Sequence, residues 1–171
     1  MNIEDHFIIA GGGRVGRYVA TILQRMEIPF LIVEYNSMRA DELKASGFPV
    51  LFGDAEKEII LEAANTRKAR LLLITTPVTL ISKAIASQAK KLNHNINIIA
   101  RAESIEEMQG LRDMGVSHVV QPEFEAGLEF ARQALLHRNI PADQIDQYTD
   151  RVRHELYRPI YSSDKEDIYS K

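Results

Sequence analysis

The sequence predicts a doubly wound α/β fold on a six-stranded parallel sheet, and three observations carry that prediction. Six short apolar runs alternate with five helix-period segments up to Gln121. A glycine motif, Gly11, Gly13 and Gly16 in the spacing G-x-G-x-x-G, lies where the first run gives way to a helical pattern. An acidic residue, Glu34, closes the second run 18 residues after Gly16, near the spacing of about 20 found in dinucleotide-binding βαβ units. Together these describe a Rossmann-type sheet of two βαβαβ halves, with strand order 3-2-1-4-5-6.

The first strand, His6 to Ala10, enters the glycines directly. The helix after them carries Val15, Val19, Ile22, Leu23 and Met26 as its apolar face. Pro29 precedes the second strand, Phe30 to Glu34, and Asn36-Ser37 is a capping signal for a short helix with Leu43 inward and Gly47 at its end. The third strand, Pro49 to Phe52, leads through Gly53-Asp54-Ala55 into a helix with Ile59, Ile60, Leu61 and Ala64; Asp54 reads as an N-cap or as a ligand residue. The fourth strand, Arg70 to Thr75, is nearly all aliphatic, as a central strand buried on both faces is. Thr76-Pro77 then opens a helix with Ile81, Ala84, Ile85, Gln88 and Leu92 in register. The fifth strand is Asn95 to Ala100, followed by Arg101 and a helix with Ile105, Met108 and Leu111 that Gly115 closes. The sixth strand is Ser117 to Gln121.

Pro122-Glu123-Phe124-Glu125 opens a further helix, with Pro early and acids in the first turn, and Phe124, Leu128, Ala131 and Leu135 as its stripe. A last helix from Asp143, read as its N-cap, to Tyr157 places Ile145, Tyr148, Val152 and Leu156 on one face. The predicted division is a nucleotide-binding domain over 1–121, a helical appendage over 122–161 and a polar, disordered tail over 162–171.

Composition narrows the function. At a formal charge of -3 there is no general electrostatic grip on nucleic acid, and no nucleic-acid partner is expected. With no cysteine, disulfides, thiol catalysis and cysteine-ligated metal are excluded. The five histidines show no metal-ligand spacing, no G-x-S-x-G is present, and the acidic groups near Glu58 and Glu106 read as solvated helix faces. The longest apolar region, Leu71 to Ser82, is too short to span a bilayer and is broken by Pro77.

Ligands of doubly wound sheets bind outside the carboxyl ends of the strands, at the switch in strand order. There the sequence assembles the glycine turn, Glu34, Gly53-Asp54, Thr75-Thr76 and Arg101. Gly11 permits a tight turn, Gly13 a close approach of backbone to pyrophosphate, and Gly16 close packing of helix on strand. The helix start offers unpaired amides and a positive dipole end to phosphate, and the backbone of Arg14 is a better phosphate donor than its side chain. A carboxylate at Glu34 accepts from two ribose hydroxyls and repels a 2′-phosphate, which favours NAD or an adenine nucleotide over NADP. An NAD-dependent oxidoreductase fragment is the alternative reading, but the 50 residues after Gln121 read as two helices and a tail, with no substrate domain.

Several segments occur together and in order: IIAGGGRVGRYVA, FLIVE, GDA, TT, IIARAES and VSHVVQPEFEAGLEFARQALL. With the closing RHELYRPIY they resemble the RCK or KTN (TrkA-N) regulatory domains of potassium channels and transporters, and most closely the cytosolic domain of Kef-type cation:proton antiporters. The resemblance covers Asp5 to about Tyr161. It implies a cytoplasmic domain at the inner face of the membrane, a homodimer, a membrane-embedded cation transporter or channel as partner, and regulation by NAD(H), AMP, ADP or ATP without chemistry of its own. Carried onto this chain, Gly11, Gly13 and Gly16 with the amides of Arg14 and Val15 would hold phosphate. Glu34, with Tyr35 beside it, would bind ribose; Asp54 and Ala55 would flank adenine; Thr75 and Thr76 would line the phosphate or distal half. Arg101 would meet phosphate or a second small effector. The helix Phe124 to Leu136 would cross to the partner subunit. No second RCK subdomain follows in the sequence, which favours a dimer over an eight-subunit ring.

Overall fold

The computed structural model describes residues 2–161, so the predicted tail, 162–171, lies outside the described residues. Those residues form two compact units, one ending at Val120 and one beginning at Gln121.

The first unit holds six parallel strands: β1 (Phe7–Ala10), β2 (Phe30–Glu34), β3 (Val50–Phe52), β4 (Leu71–Ile74), β5 (Asn97–Arg101) and β6 (His118–Val120). Their order is β3-β2-β1-β4-β5-β6, as the sequence predicts. In register, Ile8 stands beside Leu31 and Leu72, and Leu72 beside Ile98. All four are buried, as are Ile9 and Ile32 on the opposite side of the pleat. Both faces are therefore covered, the condition for a parallel sheet. The strand buried at every position is β2; Leu71 and Leu73 of β4, predicted to be fully enclosed, are only half-buried.

Five helices connect the strands: α1 (Arg14–Arg25), α2 (Ser37–Ala45), α3 (Glu58–Ala63), α4 (Thr79–Leu92) and α5 (Ile105–Asp113). One core cluster joins Ile9, Phe30 and Ile32 of the sheet to Ala20, Leu23 and Leu43 of α1 and α2, with Phe48 beyond α2. The inward face of α1 differs from the predicted stripe. Gly16, Ala20 and Leu23 are buried, while Ile22 and Met26 are 58% and 64% exposed. Backbone proximity at Gly16 sets the rotation of this helix, so small residues face the sheet and larger ones turn outward. The same happens on α4, where Ser82, Ala86 and Ala89 join Ile85 and Leu92 inside while Ile81, Ala84 and Gln88 are half-buried. On α5, Met108 and Leu111 are buried but Ile105 is exposed.

The second unit is a helical hairpin of α6 (Pro122–Leu136) and α7 (Ala142–Tyr161), with Pro122 in the first turn of α6. Glu125 of α6 accepts from Arg153 at 3.0–3.2 Å and from the Tyr157 hydroxyl at 3.1 Å, and the Phe124 and Tyr157 rings meet edge to face. Asp143 lies in the first turn of α7 and does not cap it, because the Ile145 amide already donates to the Pro141 carbonyl. Of the predicted α6 stripe, Leu128 is buried and Ala131 is exposed.

Candidate functional site

Parallel strands in register bring the residues after β1, β2, β3, β4 and β5 to one edge of the sheet, where every site residue predicted from the sequence lies. The turn after β1 is held by its neighbours. Gly11 has φ +119°, a conformation that L side chains rarely adopt. A Cβ there would sit 2.7 Å from Thr75 Oγ1, and one at Gly16 would sit 1.9 Å from the Gly11 carbonyl oxygen. Thr75 donates its hydroxyl to that carbonyl at 2.8 Å, bracing the turn from β4. Thr75 is thus part of the cradle wall, and its hydroxyl proton is already engaged. The Thr76 hydroxyl lies 3.5 Å from the Val78 amide.

Gly13 differs from its neighbours. A Cβ added there would meet nothing within 4 Å, so the backbone at the start of α1 faces open space. No side chain caps this helix and no acidic residue occupies its first turn. The starts of α2 and α5 contrast with it. Asn36 accepts from the Arg39 amide at 2.9 Å, and Ser104 accepts from the Glu107 amide at 3.2 Å. The starts of α3, α4 and α6 also lack a side-chain cap, so what sets α1 apart is the turn before it: its first amides follow the side-chain-free backbone of Gly13, open to an anion, with the dipole adding to their pull.

Glu34 is 2% exposed at the end of β2, and its carboxylate is held by three residues. Gly12 N donates to Oε2 at 2.8 Å, Asn36 N to Oε1 at 2.9 Å, and Arg39 Nη1 stands 3.5 Å from each oxygen. The acid thus has its position set before any ligand arrives, and it ties the glycine turn to α2. Gly12 is packed too tightly for a side chain: a Cβ would lie 2.4 Å from Leu43 Cδ1 and 3.1 Å from Glu34 Oε2. Tyr35, next in the chain, is 71% exposed and contributes no enclosure.

At the end of β3, Asp54 does not cap α3, whose N-cap is Lys57. Its Oδ1 accepts from the Glu56 amide at 2.9 Å, shaping the loop, and Ala55 is buried beside it. Arg101, at the end of β5, is paired with Glu103 through Nε at 2.9 Å, so its charge is partly balanced. Sequence reasoning read Asn36 only as the cap of α2, which it is, and missed Gly12 and Arg39 as partners of Glu34. The third consecutive glycine was a visible signal for the first. For Arg39 the only signal was its distance from Glu34, one helical turn after a capping asparagine.

An uncapped helix start above a side-chain-free backbone, with a buried carboxylate beside it, fits a nucleotide through its phosphate and ribose. The sequence profile of the TrkA-N domain matches residues 7–122. The chain belongs to the TrkA-N domain family. Among relatives, this TrkA-N domain is 28% identical over 156 residues to the putative K(+) efflux antiporter KefB of Alkalimonas amylolytica, a match covering 91% of this chain and 24% of that protein. The chain spans about a quarter of the length of that relative. The crystal structure of the TrkA-N domain of the inner membrane protein YbaL from Escherichia coli is similar at 32% identity and TM-score 0.71, covering 79% of this chain and 97% of that one. The Kef C-terminal domain of Shewanella denitrificans, in its AMP-bound form, has the same fold at 24% identity and TM-score 0.77, covering 91% and 95% of the two chains. Among the described residues no helix is long and apolar enough to cross a membrane.

Proposed function

We propose that this chain is the nucleotide-sensing regulatory domain of a cation-transport system, binding AMP, ADP, ATP or NAD(H) at the strand ends and acting on a membrane-embedded transporter. The observation that carries this reading is the pairing of the uncapped α1 start over Gly13 with the buried, pre-positioned Glu34 carboxylate. The relation to an antiporter and the fold shared with an AMP-bound Kef domain support it. In this assignment the amides of Arg14 and Val15 hold phosphate beside Gly11, Gly13 and Gly16. Glu34 and Tyr35 take the ribose, Asp54 and Ala55 the adenine, and Thr75, Thr76 and Arg101 the distal half or a second anion. The domain works as a homodimer at the inner face of the membrane, with α6 as the contact element, and performs no chemistry of its own. Regulation then follows from a difference in nucleotide affinity between two arrangements of the assembly.

Calorimetric titration with AMP tests the reading. Glu34→Ala is expected to weaken binding by about 1–3 kcal/mol, the cost of losing hydrogen bonds to a buried charged acceptor. A thermal melt of the same variant separates this from loss of the Gly12 tie. Equal affinity in a folded variant would refute the ribose assignment, and robust hydride transfer from NADH to a small carbonyl compound would refute the sensor reading.

A further inference from the structure

The ribose position holds more than the carboxylate that sequence motifs identify. Glu34 gives one lone pair on each oxygen to a backbone amide, Gly12 at 2.8 Å and Asn36 at 2.9 Å. Arg39 Nη1 stands 3.5 Å from both oxygens. A nitrogen equally distant from two carboxylate oxygens lies on the plane that bisects them. A vicinal diol donating one hydroxyl to each oxygen straddles that same plane, so guanidinium and diol compete for one place.

The two partners of this ion pair are unequally held. The Glu34 side chain is 1% exposed and the Arg39 side chain 46%. At 3.5 Å the contacts are at the outer limit of hydrogen bonding, so little is lost when the guanidinium swings away. The backbone of Arg39 is secured separately, by its amide donating to Asn36 Oδ1 at 2.9 Å. The carboxylate is therefore fixed and the cation movable.

Resting on the nucleotide reading above, we propose that Arg39 determines ribose selectivity: it yields the Glu34 carboxylate to a free 2′,3′-diol and turns onto the phosphate of a 2′-phosphorylated adenine nucleotide. A carboxylate alone repels a 2′-phosphate. A guanidinium beside it neutralises that repulsion and offers donors in a planar fork that matches phosphate oxygens. Sites of this kind use an acid for the 2′-hydroxyl or an arginine for the 2′-phosphate; here both stand at the same two oxygen atoms. The site thus admits both ligand types, where Glu34 alone would exclude one.

Titration of the whole chain with AMP and with adenosine 2′,5′-bisphosphate, in wild type and Arg39→Met, tests this. Wild type binds both. Arg39→Met loses about tenfold or more for the bisphosphate, the scale of one hydrogen bond to a charged group. It binds AMP as tightly as wild type or more tightly, because the carboxylate is no longer shared. An unchanged ratio of the two affinities in Arg39→Met overturns the assignment. So does a wild type that binds AMP but not detectably the bisphosphate, and in both cases the nucleotide reading stands. A wild type that binds neither ligand overturns both.

Discussion

At the scale of single residues, the glycines of the turn separate by role. Gly16 has no room for a Cβ, which would stand 1.9 Å from a backbone oxygen that cannot move without the turn. Gly13 has room on every side and an extended backbone, φ -70° and ψ -162°, open to any residue. Gly16→Ala is therefore expected to cost about 1–3 kcal/mol of stability, as overpacking does, measured as a lower urea midpoint. Gly13→Ala is expected to cost no more than about 1 kcal/mol of stability, the scale on which alanine is a poorer N-cap than glycine. It should nevertheless weaken nucleotide binding, because its methyl group projects toward the space where phosphate would approach the backbone. If Gly13→Ala binds AMP as wild type does, phosphate is not held at this turn.

At the scale of elements, helix starts differ in how their first amides are satisfied. The start of α5 is satisfied internally. Ser104 accepts from the Glu107 amide, and the Glu107 carboxylate accepts from the Glu103 amide at 2.8 Å. That amide holds the Glu107 carboxyl below its ordinary pKa. A lowered folded-state pKa means a stabilisation that is complete above the ordinary carboxyl value and lost as pH falls through the lowered one. Glu107→Gln should accordingly have a lower urea midpoint than wild type at pH 7, and the difference should close well below the usual glutamate value of about 4.3. A gap that persists in acid would mean that the cap does not act through charge. The start of α1 has no such arrangement. Its outward side also carries Tyr18, Ile22 and Met26, all more than half exposed, because the inward side was taken by small residues.

At the scale of the whole molecule, the two units are built differently. The first is a sheet enclosed on both faces. The second is a hairpin held by a buried isoleucine, Ile145, and by the Glu125–Arg153–Tyr157 contacts. On α6, Phe130 is 80% exposed, with Gly127, Ala131 and Ala134 exposed on the same helix. Small residues flanking an exposed aromatic suit close helix contact across a dimer. For the homodimer proposed above, Phe130→Glu is expected to convert dimer to monomer in sedimentation velocity while changing stability by no more than about 0.5 kcal/mol, as surface substitutions do. A dimer that survives at the same concentration would move the interface elsewhere.

The strand order, the sheet edge that carries the candidate site and the places of Gly11, Gly13, Gly16 and Glu34 along it were determined by the sequence alone. These features follow from local chemistry: aliphatic runs make buried parallel strands, glycine alone takes φ +119° at position 11, and an acid after the second strand of such a unit has one place to be. The periodicity of α1 identified a helix but not its rotation, because counting apolar residues ignores how closely Gly16 must approach Gly11. Asp54 and Arg101 were found at their strand ends, yet their engagement with Glu56 and Glu103 depends on loop shape that no motif encodes. Only the tertiary structure joined Gly12, Glu34 and Arg39 into one constellation and set Thr75 against the Gly11 carbonyl. Those contacts span up to 64 residues of chain. Hydrogen bonds between residues that far apart are decided by packing of the sheet, which brings the strand ends within reach, and not by any preference of the residues themselves.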